Sequence, residues 1–326
     1  MKKPLLYIAL GTCALALSCS QAPGPEERAV PVADITALMY RLPSMTPSGR
    51  DSAIAANQPQ LAAFMKVVGA DTVCDSTLQE WTSSMAVRVF TPAVDSVFGS
   101  ADAVSHAISY ALAGAEAQGL SIPARRYAAV TYGRKEPVLF VDSVMLVAQN
   151  HFLGAEYEGY GPWPAYLRML KTPQQLPYTV AEALVATAYP YEIEGGQENA
   201  TLLSRMLYEG ALVKAVMAMV EKPSLAQALG YNSDDMAWLE ANEARLWNEL
   251  VAAGVLYETS ESVIGRFVAP APATRGLESL WPGRVARFIG YRLVEKYCRS
   301  HPETTAAQLL SKDFYDSPAV IAEVVS

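Results

Sequence analysis

Two carboxylates occupy positions where apolar residues belong. Tyr178, Glu182, Val185 and Tyr189 recur at helical spacing on one face of a predicted helix that opens at Leu176. After a loop from Glu192 to Asn199, Leu202, Met206, Glu209, Val213, Val216 and Val220 do the same on a second helix ending near Val220. A charge inside an apolar stripe is costly to desolvate, so each carboxylate must be protonated, paired or metal-bound. Glu182 and Glu209 could act together as acid and base, as carboxylate pairs do in glycosidases. Burial against Arg205 or Lys214 accounts for them equally well.

Metal chemistry is the third option. Two adjacent helices carrying Glu182 and Glu209 resemble the remains of a zincin, in which the first helix supplies two histidines at i and i+4 with a catalytic Glu after the first, and the second often supplies a Glu ligand. The histidine positions would be Ala181 and Val185, which cannot hold zinc, and so no metal and no cofactor is expected. The chain has only three histidines, His106, His151 and His301, far apart in sequence. His106 lies off its helix stripe and reads as a rim residue, whereas His151 beside Phe152 and Leu153 reads as a packed, hydrogen-bonded one. No phosphate loop, Gly-x-Ser-x-Gly elbow, Cys-x-x-Cys or dinucleotide fingerprint is present.

The elements that must position these groups are mostly helical. Apolar residues fall at helical spacing over 32–41, 52–68 and 101–118, and over 78–98 with a break expected at Pro92. Arg126 to Tyr132 and Val138 to Val147 are β-branched and aromatic, and 133–137 is a plausible turn, which predicts a small sheet built on a hairpin. Asp142 is read inside the second strand, facing outward. Asn232 or Ser233 caps a long helix to Ala253 with Met236, Leu239, Leu246, Trp247 and Leu250 inward. A Pro-rich irregular stretch covers 268–282, Gly283 opens another helix, and two short ones finish the chain. The fold class is mainly α with a small sheet (α+β), in one domain spanning 32–326.

Composition narrows the function. The 326 residues carry a formal net charge of −8, with no cluster of cations, so nucleic acid is not an expected partner. Hydrophobic residues make up 51 %, yet past the N-terminus no run approaches the roughly 18 uninterrupted apolar residues of a membrane span. Lys2 and Lys3 precede an apolar run from Leu5 to Leu17, as in a secretory signal. Ala16, Leu17 and Ser18 before Cys19 resemble a bacterial lipobox. That resemblance implies a signal peptide over 1–18, lipidation (palmitate among the chains) of Cys19 and a flexible tether over 19–31. Cys74 and Cys298 remain, read as buried free thiols.

A set of ordered segments then resembles the gliding-motility lipoprotein GldB family of Bacteroidota. They are the lipidated start, His151-Phe-Leu-Gly-Ala-Glu-Tyr, Leu176-Pro-Tyr, Tyr208-Glu-Gly, Asn242-Glu-x-x-x-Trp247, Arg266-Phe with Ala269-Pro, and Pro282-Gly-Arg-Val ahead of Ile289-Gly-Tyr. The resemblance implies a degenerate zincin-like peptidase fold without the metal motif. It further implies a lipid-anchored protein of the cell envelope, on the periplasmic side, held to the membrane by its lipid and partnered by another envelope protein. Glu182, Glu209, His151 and Tyr208 are then the candidate residues of a vestigial cleft with no catalytic role. The alternative is a metal-dependent or carboxylate-based hydrolase built on the same residues.

Overall fold

The computed structural model describes residues 29–193 and 195–326, so the signal, Cys19 and nearly all of the tether lie outside the described residues. The chain enters the body at Val30, whose N–H donates to Ser109 Oγ (2.9 Å) and whose carbonyl accepts from Ser105 Oγ (2.6 Å). Val32–Asp34, expected to be helical, is instead strand β1, pairing in parallel with residues 127–129. Asp34 then caps α1, Ile35–Arg41, by accepting from Ala37 N.

Helices α2 (Pro47–Ala56), α3 (Gln58–Val68), α4 (Asp75–Ser83), α5 (Met85–Val97) and α6 (Asp102–Ala117) follow. The break falls at Ser84 rather than Pro92, which sits inside α5. Proline there deprives the Arg88 carbonyl of its donor, but Arg88 is exposed and water can serve.

The small sheet is present with a different connectivity. Its strands are β2 (Arg126–Val130), β3 (Val138–Val141) and β4 (Val144–Ala148), in the order β1-β2-β4-β3. The hairpin is β3–β4, and β4 lies parallel to β2. Asp142 is the turn residue, not a strand residue, with φ of 51° and an exposed ion pair to Lys66 (2.6 Å). A two-residue turn needs positive φ, which Asp tolerates better than most residues. Tyr127, Ala129, Met145 and Val147 face one helical layer; Ala128, Val130, Val144 and Leu146 face the other. Both faces are covered, which is why β4 reads as an unbroken apolar run.

The second half is helical: α7 (Ala165–Arg168), α8 (Leu176–Ala188), α9 (Leu202–Met217), α10 (Leu225–Leu229), α11 (Ser233–Ala252), α12 (Glu261–Val268), α13 (Val285–Ser300), α14 (Ala306–Leu309), α15 (Lys312–Tyr315) and α16 (Pro318–Val325). Asn232 caps α11 as expected, accepting from Asp235 N at 2.8 Å. The Pro-rich stretch is less superficial than its composition suggests. Trp281 and Thr274 are buried, and Glu249 on α11 accepts from Ser279 N, Ser279 Oγ and Trp281 Nε1. Helix α9 is buried on nearly every side, and α13 crosses it at Gly210 and Gly290.

The molecule is thus mainly helical around a four-stranded sheet. Among the described residues no helix is long and apolar enough to cross a membrane. Both cysteines there are free, but neither is buried as expected: Cys74 is exposed at the cap position of α4, and Cys298 is half-buried on α13.

Candidate functional site

One arginine answers the question posed by the two carboxylates. Arg287, from the first turn of α13, is 2 % exposed and reaches across to α8, where Nη1 and Nη2 donate to Glu182 Oε1 and Oε2 at 3.0 and 2.9 Å. Its Nε lies 3.5 Å from Glu209 Oε2 on α9, and Arg205 holds the other oxygen of Glu209 at 2.7 Å. Burial alone would raise the Glu182 carboxyl above its ordinary range, but Arg287 outweighs it and holds the group ionised below that range. Burial works against the Arg287 cation as well, and the two glutamates reverse it, raising its affinity for the proton. Pairing with Arg205 is therefore one of the outcomes the sequence allowed. Lys214 takes no part and pairs with Glu295 at 2.5 Å.

His151 and Glu182 meet in a cleft of about 430 Å³, walled by α8, the loop around Trp163 and Lys171, α10 and the start of α13. His151 is 4 % exposed with both ring nitrogens engaged. Lys171 Nζ lies 2.8 Å from Nδ1, and Nε2 lies 3.0 Å from the Arg134 carbonyl. An ammonium is donor only and a carbonyl acceptor only, so Nδ1 accepts and Nε2 carries the proton. Burial, then the Lys171 charge, pushes the imidazole down to about 4, and it stays neutral near pH 7. His106, by contrast, is half-exposed on α6, with Glu221 Oε2 3.7 Å from its Nε2.

Glu209 and Tyr208 are not among the residues lining this cleft. Tyr208 donates to the Tyr189 carbonyl (3.0 Å) and packs against Tyr191 and Tyr315, an aromatic cluster with the Arg205 guanidinium over two of its rings. The positions at which a zincin carries its histidines, Ala181 and Val185, are wholly buried on α8. Among the described residues no group of three or more His, Cys, Asp or Glu is placed to hold a metal ion.

The sequence reading missed three cations: Arg287, Arg284 and Lys171. Arg287 had a legible signal, since it shares a helical face with Gly290 and Val294 at i+3 and i+7, so a charge stands in line with buried positions. Arg284 lies within Pro282-Gly-Arg-Val, one of the segments that carried the family resemblance. Lys171 had no signal of its own, because its burial comes from a loop folding over it.

A family model described as "Gliding motility protein GldB" matches residues 26–317 of the chain. No curated protein and no solved structure matches it.

Proposed function

The chain belongs to the family of the gliding motility protein GldB, and from that premise we propose that it is a lipid-anchored envelope protein that binds or assembles with another envelope component without catalysing a reaction. In this reading residues 1–18 are a signal, Cys19 carries the lipid, 19–31 are a tether, and one domain over 32–326 does the binding on the periplasmic side. The observation that carries the non-catalytic part is the Arg287 clamp. A general acid or base needs a free proton site near the reacting atom, and Glu182 and Glu209 are both committed to arginine, while His151 is fixed between Lys171 and a carbonyl.

Two measurements test this reading. Metabolic labelling with a palmitate analogue should tag the wild-type chain, and Cys19→Ala should lose the tag while its fold is unchanged, since only the tether differs. A tag that survives Cys19→Ala sinks the anchor. Elemental mass spectrometry of the full chain, purified without added metal, should find zinc well below stoichiometry. One tightly held equivalent would restore the hydrolase alternative.

A further inference from the structure

The cleft holds more positive charge than its own carboxylate can answer. Lys135, Lys171 and Arg284 line it against Glu182 alone, and Glu182 is already held at both oxygens by Arg287. Among the described residues the Arg284 side chain has no hydrogen bond and no ion pair, and its Nε is fully buried without a partner, while its carbonyl accepts from Arg287 N at 3.0 Å. Lys171, 7 % exposed, has a neutral imidazole as its hydrogen-bond partner and two ring faces beside it, Trp163 at 4.1 Å and Tyr160 at 5.4 Å from Nζ, but no carboxylate. Buried cations are normally paired, because burial strips their hydration without return.

The backbone is built to keep Arg284 there. It adopts φ of 67°, a left-handed conformation that is uncommon for a residue with a Cβ, at the cap of α13. Its neighbour Gly283 is pressed against the Ala271 backbone, where a Cβ would overlap the carbonyl, and the Gly283 carbonyl accepts from Tyr231 Oη at 2.8 Å. On the other side Gly230 leaves open the space that a guanidinium nitrogen of Arg284 occupies. Strain held in place by several neighbours around a polar group without a partner is the pattern of a ligand site.

We propose that this cleft binds a small organic anion: one carboxylate, placed between Arg284 and Lys171, attached to an aromatic or branched apolar group lying against Trp163, Phe152 and Tyr178. The apolar part follows from those walls and from Leu167, Leu170 and Pro270. A single charge follows from Glu182, which lines the same space and disfavours a dianion such as phosphate. Burial lowers Lys171 to about 8; burial and then Arg287 lower Arg284 to about 10, because the charges of Glu182 and Glu209 offset only part of these effects. The site goes beyond the assembly role and stands without it: a chain that binds no envelope partner could still bind the anion, and the reverse.

Calorimetric titration of the full chain in a sugar-headed detergent, with empty micelles as the blank, tests the proposal. The probes are N-acetylphenylalanine, its neutral amide and inorganic phosphate. The acid should bind saturably, one per chain, and the amide and phosphate at least about tenfold more weakly. Arg284→Gln and Lys171→Met should each weaken the acid by about tenfold or more. Arg284→Gln should at the same time raise the thermal midpoint of the ligand-free chain, since it removes a half-buried charge that has no ion pair among the described residues. Equal binding of acid and amide overturns the proposal, as does phosphate binding as tightly as the acid, or no saturable binding of any probe up to about 10 mM. So does Arg284→Gln that leaves the affinity unchanged or lowers the midpoint, which would mean that the guanidinium serves the fold.

Discussion

Arg287→Met should cost the folded state about 3–5 kcal/mol, the range found when one partner of a buried ion pair is removed, and should lower the thermal midpoint by about 10 °C. Methionine fills a similar volume, so the loss is electrostatic. Among the described residues Glu209 is left 6 % exposed with Arg205 as its only ion-pair partner, and Glu182 with none at hydrogen-bond distance. Because a third of the Glu182 side chain faces the cleft, water replaces part of what it loses, and Glu209 carries the larger share. The companion variant decides the cause: Arg287→Met combined with Glu182→Gln and Glu209→Gln removes the stranded charges together and should recover most of the midpoint. A triple variant as unstable as Arg287→Met alone would show that the guanidinium matters for its shape.

Acidification gives the same clamp a second signature. Arg287 holds Glu182 below its ordinary carboxylate range in the folded state. A depressed folded value means that the unfolded chain binds the proton first as pH falls, so the stability from this pair is complete well above about pH 4.5 and is lost as pH falls through the folded value. In Arg287→Met the largest of the charges that hold Glu182 down is gone and only Arg284 and Arg205 remain, so the variant should lose less stability than wild type between about pH 5 and 3.

What the sequence made legible here was the problem more than its solution. Glu182 and Glu209 stood out because a carboxylate within a period-3.6 apolar stripe is a local anomaly, visible without any knowledge of the fold. Their partner lies on α13, more than seventy residues beyond Glu209, and long-range pairing leaves no local trace. The same limit explains the sheet. Residues 138–147 were legible as extended, but that they turn at Asp142 and send β4 back beside β2 depends on both faces being covered by helices distant in the chain. Helix α11, whose cap, first-turn acids and inward stripe are all local, was legible almost to its ends.

Gly290→Ala should be as damaging as the loss of Arg287, although it adds a single methyl group. On α13 Gly290 lies against α9 so closely that a Cβ would overlap the carbonyl oxygen and carbon of Met206, and a Cβ at Gly210 would overlap the Gly290 carbonyl and the Tyr291 nitrogen. Both obstacles are backbone, which cannot rotate aside as a side chain does. The two helices must separate along their whole buried contact, at a cost of about 3 kcal/mol or more. Gly210→Ala strains the same crossing, so the double variant should cost much less than the sum of the two. Gly265→Ala supplies the control of opposite sign. It lies in α12, where an added Cβ would meet nothing within 4 Å, and should stabilise by about 0.5–1 kcal/mol through helix propensity alone. Thermal midpoints of the three single variants and the double separate these effects, and a Gly290→Ala midpoint equal to wild type would overturn the close crossing. The consequence reaches the cleft, because Gly210 follows Glu209 and Gly290 stands one turn after Arg287. The approach of the two backbones is what lets one arginine reach both glutamates, so a Gly290→Ala chain that still folds should also bind N-acetylphenylalanine more weakly.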